Sequence, residues 1–223
     1  MSLSLTDVQN LAMLAGAAYD IEKHEHLEHG SNYYTILVQV MGATFRALVF
    51  RGTQNAKDVY GDTAIIGFTS REENTVFQEA VDTFQTLYEK YEEDGYPWVV
   101  IGHSLGGALA SYCRSRFEHK VSHTFTFNEG GGLFTDESDI TRWGYDYAFF
   151  ISGDAISLIA SQRTKAKVLI WDKKSNEPDI FKKFDVNFTK AIGPLLKRSV
   201  DKHGIVNFYF LGKPRIGSNF LRI

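Results

Sequence analysis

The chain has 223 residues, of which 43% are hydrophobic and 23% charged, with a net charge of −3. That is the balance of a globular protein long enough to bury most of its apolar surface in one core. It offers no basic face for nucleic acid, no apolar run near the roughly 20 residues that cross a bilayer, and no pair of cysteines for an internal disulfide. A single domain over residues 1–223 is expected.

The N-terminus lacks the basic stretch, apolar core and small-residue cleavage site of a secretory signal. A cytoplasmic location is the default expectation; export without a signal and delivery by a phage particle stay open. From Leu5 to Tyr19, the residues Leu5, Val8, Leu11, Ala12, Ala15 and Ala18 share one helical face, with start signals at Thr6 and Asp7. His24, His26 and His29 stand among Glu22, Lys23, Glu25 and Glu28 and read as a solvated loop, not a metal site. Two strands, Tyr34–Met41 and Thr44–Phe50, flank Gly42-Ala43 as a hairpin. Residues 51–74 read as a loop. An amphipathic helix is predicted over Thr75–Glu93, stopped by Asp94-Gly95-Tyr96-Pro97.

Next comes Trp98-Val99-Val100-Ile101, an apolar strand, followed by Gly102-His103-Ser104-Leu105-Gly106-Gly107 and an alanine-rich helix, Ala108 to Phe117. This is Gly-x-Ser-x-Gly on a strand-to-helix turn. Glycines on both sides let strand and helix approach closely, a strained backbone exposes the serine oxygen, and the helix start presents N–H groups to an oxyanion. Ser104 is therefore the candidate nucleophile. Cys113, inside that helix, is expected to be buried and inert. Val121–Phe127 reads as a strand, Asn128 to Gly132 as a turn or bulge, and Asp146–Ile151 and Lys167–Trp171 as short strands. A helix is expected between Asn187 and Val200, and Phe208–Leu211 as a last strand. Helices alternating with strands around the elbow predict an α/β sheet with helices on both faces.

A serine hydroxyl needs a base and an orienting carboxylate before it can attack an ester. In the order Ser, acid, His, only His119, His123 and His203 follow Ser104. The first two leave no room for an acid-bearing strand, so His203, in a glycine-containing loop near the C-terminus, is the candidate base. His103 reads as packing beside the nucleophile. Both Asp154, just after the strand ending at Ile151, and Asp172, after Val168–Trp171, are candidate acids; Asp136, Asp139 and Asp146 fit less well.

Ala47-Leu48-Val49-Phe50-Arg51-Gly52-Thr53, Asp58-x-x-x-Asp62, Gly102–Gly107 and Gly153-Asp154-Ala155-Ile156-Ser157-Leu158 follow one another in an order that resembles the class 3 (fungal-type) lipase family. The resemblance spans roughly residues 35–210 and implies an α/β-hydrolase fold with a mostly parallel central sheet. It implies an oxyanion hole from the amide and hydroxyl of Thr53 with the amide of Leu105, and it assigns the acid to Asp154 and the base to His203. The chain departs from the family where Phe127-Asn128-Glu129-Gly130-Gly131-Gly132 replaces a Gly-x-Pro-Arg-Val-Gly stretch. A similar string, Gly212-Lys213-Pro214-Arg215-Ile216-Gly217, lies at the far C-terminus instead.

The expected activity is hydrolysis of a lipid or small carboxylic ester through an acyl-enzyme, with no metal or cofactor. A thioesterase, peptidase or acyltransferase using the same groups, or a binding module that kept only the fold, are the other readings. The segment between Thr53 and Asn74 stands where the family carries a lid, with Ala64-Ile65-Ile66-Gly67-Phe68 as its apolar part.

Overall fold

The computed structural model describes residues 3–23, 27–53, 74–130, 145–151, 154, 167–171, 204–209 and 215–216. Helix α1 spans Leu5–Ala17 and runs on into a 3-10 turn over Ala18–Lys23. Its cap is Ser4: the Ser4 hydroxyl accepts the Asp7 N–H at 3.0 Å, and the Asp7 carboxylate accepts the Ser4 N–H at 2.9 Å. Thr6, expected as a start signal, is already inside the first turn. The Ser-x-x-Asp spacing is what satisfies two amide donors at once.

Strands β1 (Glu28–His29), β2 (Tyr33–Val40) and β3 (Ala43–Phe50) form an antiparallel meander. The β2–β3 turn is Met41-Gly42, one residue earlier than expected, because both residues take positive φ (52° and 76°). A two-residue turn of that hand matches the twist of the flanking strands. Helix α2 (Thr75–Lys90) starts at Asn74, whose side chain accepts the Val76 N–H at 3.0 Å. It is shorter than expected, since Glu92–Asp94 is a separate 3-10 turn closed by Gly95.

Strand β4 (Trp98–His103), helix α3 (Leu105–Arg116) and strands β5 (Val121–Phe127), β6 (Asp146–Ile151) and β7 (Lys167–Trp171) complete the centre. Strands β3 to β7 are parallel, and β8 (Arg215–Ile216) closes the sheet antiparallel to β7, so the order is β1 to β8 in sequence. The expectation of a last strand at Phe208–Leu211 is corrected at its described residues, Phe208 and Tyr209. Phe208 ends a 3-10 turn, Ile205–Phe208, buried edge-on against Phe127 with ring centroids 5.1 Å apart. A short apolar run does not distinguish strand from buried turn, and the ladder position on β7 is taken by Arg215–Ile216. The helix expected between Asn187 and Val200 lies outside the described residues.

Successive residues of the central strands serve opposite faces. Ala47, Val49, Val99 and Ile101 join α1 and the Ile205–Phe208 turn in one core. Leu48, Phe50, Trp98 and Val100 join α2 and α3 in the other. Helices therefore cover both faces. Cys113 is fully buried and burial pushes its thiol pKa up, so it stays protonated and unreactive.

One charged pair spans these layers. Arg114 on α3 lies 3.2 Å from Asp146 at the start of β6, at 5% and 0% exposure, and also donates to the Glu118 carbonyl. Removing one partner leaves an uncompensated buried charge. Asp146→Ala is expected to destabilise the protein by about 3–5 kcal/mol in urea unfolding, whereas a mutation at the exposed Lys23–Asp20 pair should change little.

Candidate active site

Thr53, Ser104, Leu105 and Asp154 all lie past the carboxyl ends of the parallel strands, where ligands bind in open α/β sheets. Strand β4 ends at His103, and Ser104 follows with φ 55° and ψ −123° before α3 begins at Leu105. A non-glycine residue in that region carries about 1–3 kcal/mol of strain, which neighbouring structure must hold in place. Three backbone bonds do so. The Ser104 N–H donates to the Phe127 carbonyl at 3.1 Å, and its own carbonyl accepts the Ala108 and Gly130 N–H groups at 3.2 and 3.0 Å.

The flanking glycines are needed for close approach. A methyl group on Gly102 would be driven into the Gly106 carbonyl, and one on Gly106 into the Phe50 carbonyl. The elbow is thus pressed against the end of β3. Ser104 is 1% exposed.

The β3 end leads directly into Gly52-Thr53. The Thr53 hydroxyl oxygen is buried and has no hydrogen-bond partner among the described residues. A buried hydroxyl left unpaired costs about 1–3 kcal/mol, so such an atom calls for an explanation. Leu105 stands at the first position of α3, where helix amides have no intrahelical acceptor. Gly52 and Thr53 on one side and Ser104-Leu105 on the other thus converge on one edge of the sheet.

Asp154 lies three residues beyond β6, 2% exposed, in a turn where its N–H donates to the Ile151 carbonyl at 3.2 Å. The expected base, His203, falls outside the described residues; the chain is described again from Gly204 into the Ile205–Phe208 turn. The proposed lid segment also lies outside the described residues, as do Asp172, His24 and His26.

Three residues at this edge were not singled out from sequence. Asn128, read as turn, is fully buried with φ 40°; its amide donates to the Phe149 carbonyl at 2.8 Å and its side-chain oxygen accepts the Ile151 N–H at 2.9 Å. It pins the end of β5 to the strand that carries Asp154. Glu129, 4% exposed, packs against Gly107 of α3. Tyr19, from the turn after α1, has its hydroxyl oxygen 2.7 Å from His103 Nδ1. Asn tolerates left-handed backbone better than most residues, so Asn-Glu-Gly after an apolar strand was the available signal for the first.

Residues 47–130 match the family model described as Lipase (class 3). Among solved structures the chain is similar to the crystal structure of lipase from Rhizopus microsporus var. chinensis, with a TM-score of 0.54 and 15% identity over 80% of each chain. No curated protein matches the chain significantly. The structural likeness carries the fold, which is that of an α/β-hydrolase. Among the described residues no helix is long and apolar enough to cross a membrane.

Asn128→Ala removes the acceptor for a buried N–H and places alanine in left-handed backbone. It is expected to lower stability by about 2–4 kcal/mol, the sum of an unpaired donor and a strained residue. Asn128→Asp, which keeps the acceptor, should lose less at neutral pH; equal losses in thermal unfolding would show that the side-chain bond is not what matters.

Proposed function

We propose that this chain, a member of the class 3 lipase family through residues 47–130, is a serine carboxylic-ester hydrolase of lipid or small esters. The observation that carries the reading is that a strained, buried Ser104 and Thr53, whose buried hydroxyl has no partner among the described residues, follow the neighbouring ends of β4 and β3. An unpaired donor beside an activated serine has a use only when negative charge develops there, as it does on the carbonyl oxygen of an ester under attack.

In the proposed reaction His203 takes the proton of Ser104 as the serine oxygen adds to the carbonyl carbon. The amides of Leu105 and Thr53, with the Thr53 hydroxyl, bind the oxyanion of the tetrahedral intermediate. Asp154, on the turn after β6, holds the imidazole in one tautomer and stabilises its charged form. The intermediate collapses with loss of the alcohol, which takes its proton from His203. Water then attacks the acyl-enzyme with the same histidine as base, and the acid leaves. The buried position of Asp154 suits this role, since an orienting carboxylate acts best away from solvent.

The decisive test is intact-mass detection of a fluorophosphonate adduct. One adduct on the wild-type chain that disappears in Ser104→Ala is expected; its absence from the wild type, with detergent present, would overturn the hydrolase reading. Thr53→Val tests the hole separately. It replaces an unpaired buried hydroxyl with a methyl of equal size, so the melting temperature should hold or rise. Ester kcat/KM should fall about 100-fold, the usual cost of one oxyanion donor. Unchanged kinetics would remove the Thr53 hydroxyl from the mechanism.

A further inference from the structure

The ladder between β3 and β4 ends at the pair Phe50 and Gly102. Beyond it, the two chains that carry the proposed oxyanion donor and the nucleophile continue as Arg51-Gly52-Thr53 and His103-Ser104. At this point a third segment enters. The hydroxyl of Tyr19 packs against Gly52 and sits 2.7 Å from His103 Nδ1, with the two rings edge-on at 65° and centroids 5.8 Å apart. The fit is close: a methyl on Gly52 would collide with the Tyr19 hydroxyl and come within 2.6 Å of the His103 carbonyl.

A phenol proton directed at Nδ1 pairs with the His103 tautomer protonated on Nε2. Burial holds the Tyr19 pKa well above the usual tyrosine range, so the donor persists at any working pH.

The segment that supplies Tyr19 is itself firmly placed. Ala12, Ala15 and Ala18 are fully buried, Tyr34 donates to the Leu14 carbonyl at 2.7 Å, and Gly16 packs against Tyr209 just past the Ile205–Phe208 turn.

We propose that Tyr19 is a positioning residue of the ester-hydrolysing site, cross-linking the oxyanion strand at Gly52 to the nucleophile elbow at His103. The inference rests on the hydrolase reading of Ser104. The oxyanion donors come from two different strand ends, and a transition state is stabilised only while both stay within about 0.5 Å of their working positions. Sheet hydrogen bonds fix that spacing up to Phe50 and Gly102; Tyr19 fixes it one step further, at the level of the reacting groups. The N-terminal helix is then part of the catalytic apparatus, and the histidine of Gly-His-Ser-Leu-Gly is the handle by which it grips the elbow.

Tyr19→Phe keeps the ring and removes only the hydroxyl. In assays with a short-chain p-nitrophenyl ester, kcat is expected to fall about 10- to 100-fold, the scale of a misplaced catalytic group. KM should stay within about twofold, because ground-state binding is untouched. His103→Leu should show the same pattern, and the double variant should be no slower than the slower single one, since both remove the same link. Nitrogen-15 spectra of His103 give a readout independent of turnover: Nδ1 should have the shift of an acceptor nitrogen in the wild type and move in Tyr19→Phe.

A Tyr19→Phe enzyme that turns over at the wild-type rate and only melts earlier would overturn the proposal, as would fully additive losses. A wild type with the His103 signature intact but neither ester turnover nor a fluorophosphonate adduct would overturn the hydrolase reading, and the positioning role with it.

Discussion

The close approach of strand β4 and helix α3 at Gly102 and Gly106 is the constraint on which the rest of the site depends. No side chain fits between their backbones, and Ser104 pivots between them with a conformation that costs about 1–3 kcal/mol in isolation. That cost is sustained only because both elements are fixed elsewhere. Trp98 and Val100 of β4, with Ala108, Leu109, Tyr112 and Cys113 of α3, belong to one buried cluster beneath α2. The sharp turn is the geometric remainder once strand and helix have each found their packing.

Around that turn the carboxyl edge of the sheet is tied strand to strand by groups that do not depend on regular ladders. Gly130 binds back to the Ser104 carbonyl, Asn128 joins β5 to β6, and Tyr19 joins β3 to β4. Each tie sits one to three residues past the last ladder pair, where chains would otherwise diverge. A site assembled from several strand ends requires this, because sheet hydrogen bonds stop before the loops that carry the chemistry begin.

How much of this was legible in the sequence varies with the range of the interaction involved. The elbow was legible because its requirements are local: an apolar strand, glycines at fixed spacing and an alanine-rich helix adjoin one another between Trp98 and Phe117. Helices on both faces were legible for a similar reason, since the uninterrupted apolar run Trp98–Ile101 and the alternation of helices with strands are short-range patterns. The hairpin turn was misplaced by one residue because Met41 carries a positive φ that its own chemistry does not advertise. Phe208 was misread because an aromatic pair in sequence serves a strand and a buried turn equally well. Tyr19 was invisible altogether. It reads only as the last residue of the expected first helix, and its partners are 33 and 84 positions away. His103 was read as packing beside the nucleophile. That is correct as far as it goes: the histidine is 5% exposed, and the missing information was the phenol it meets.

Stability and reactivity are opposed at this edge. Ser104 is strained and the Thr53 hydroxyl lacks a partner among the described residues, and these two costs fall just past neighbouring strand ends. Selection for stability alone would relieve both, by a glycine at 104 and an apolar residue at 53, with no loss of packing. A fold usually breaks local rules where function needs it to. In the proposed hydrolase the broken rules at Ser104 and Thr53 are of the two kinds that acyl transfer would use, a nucleophile held off its preferred backbone and a donor left for developing charge.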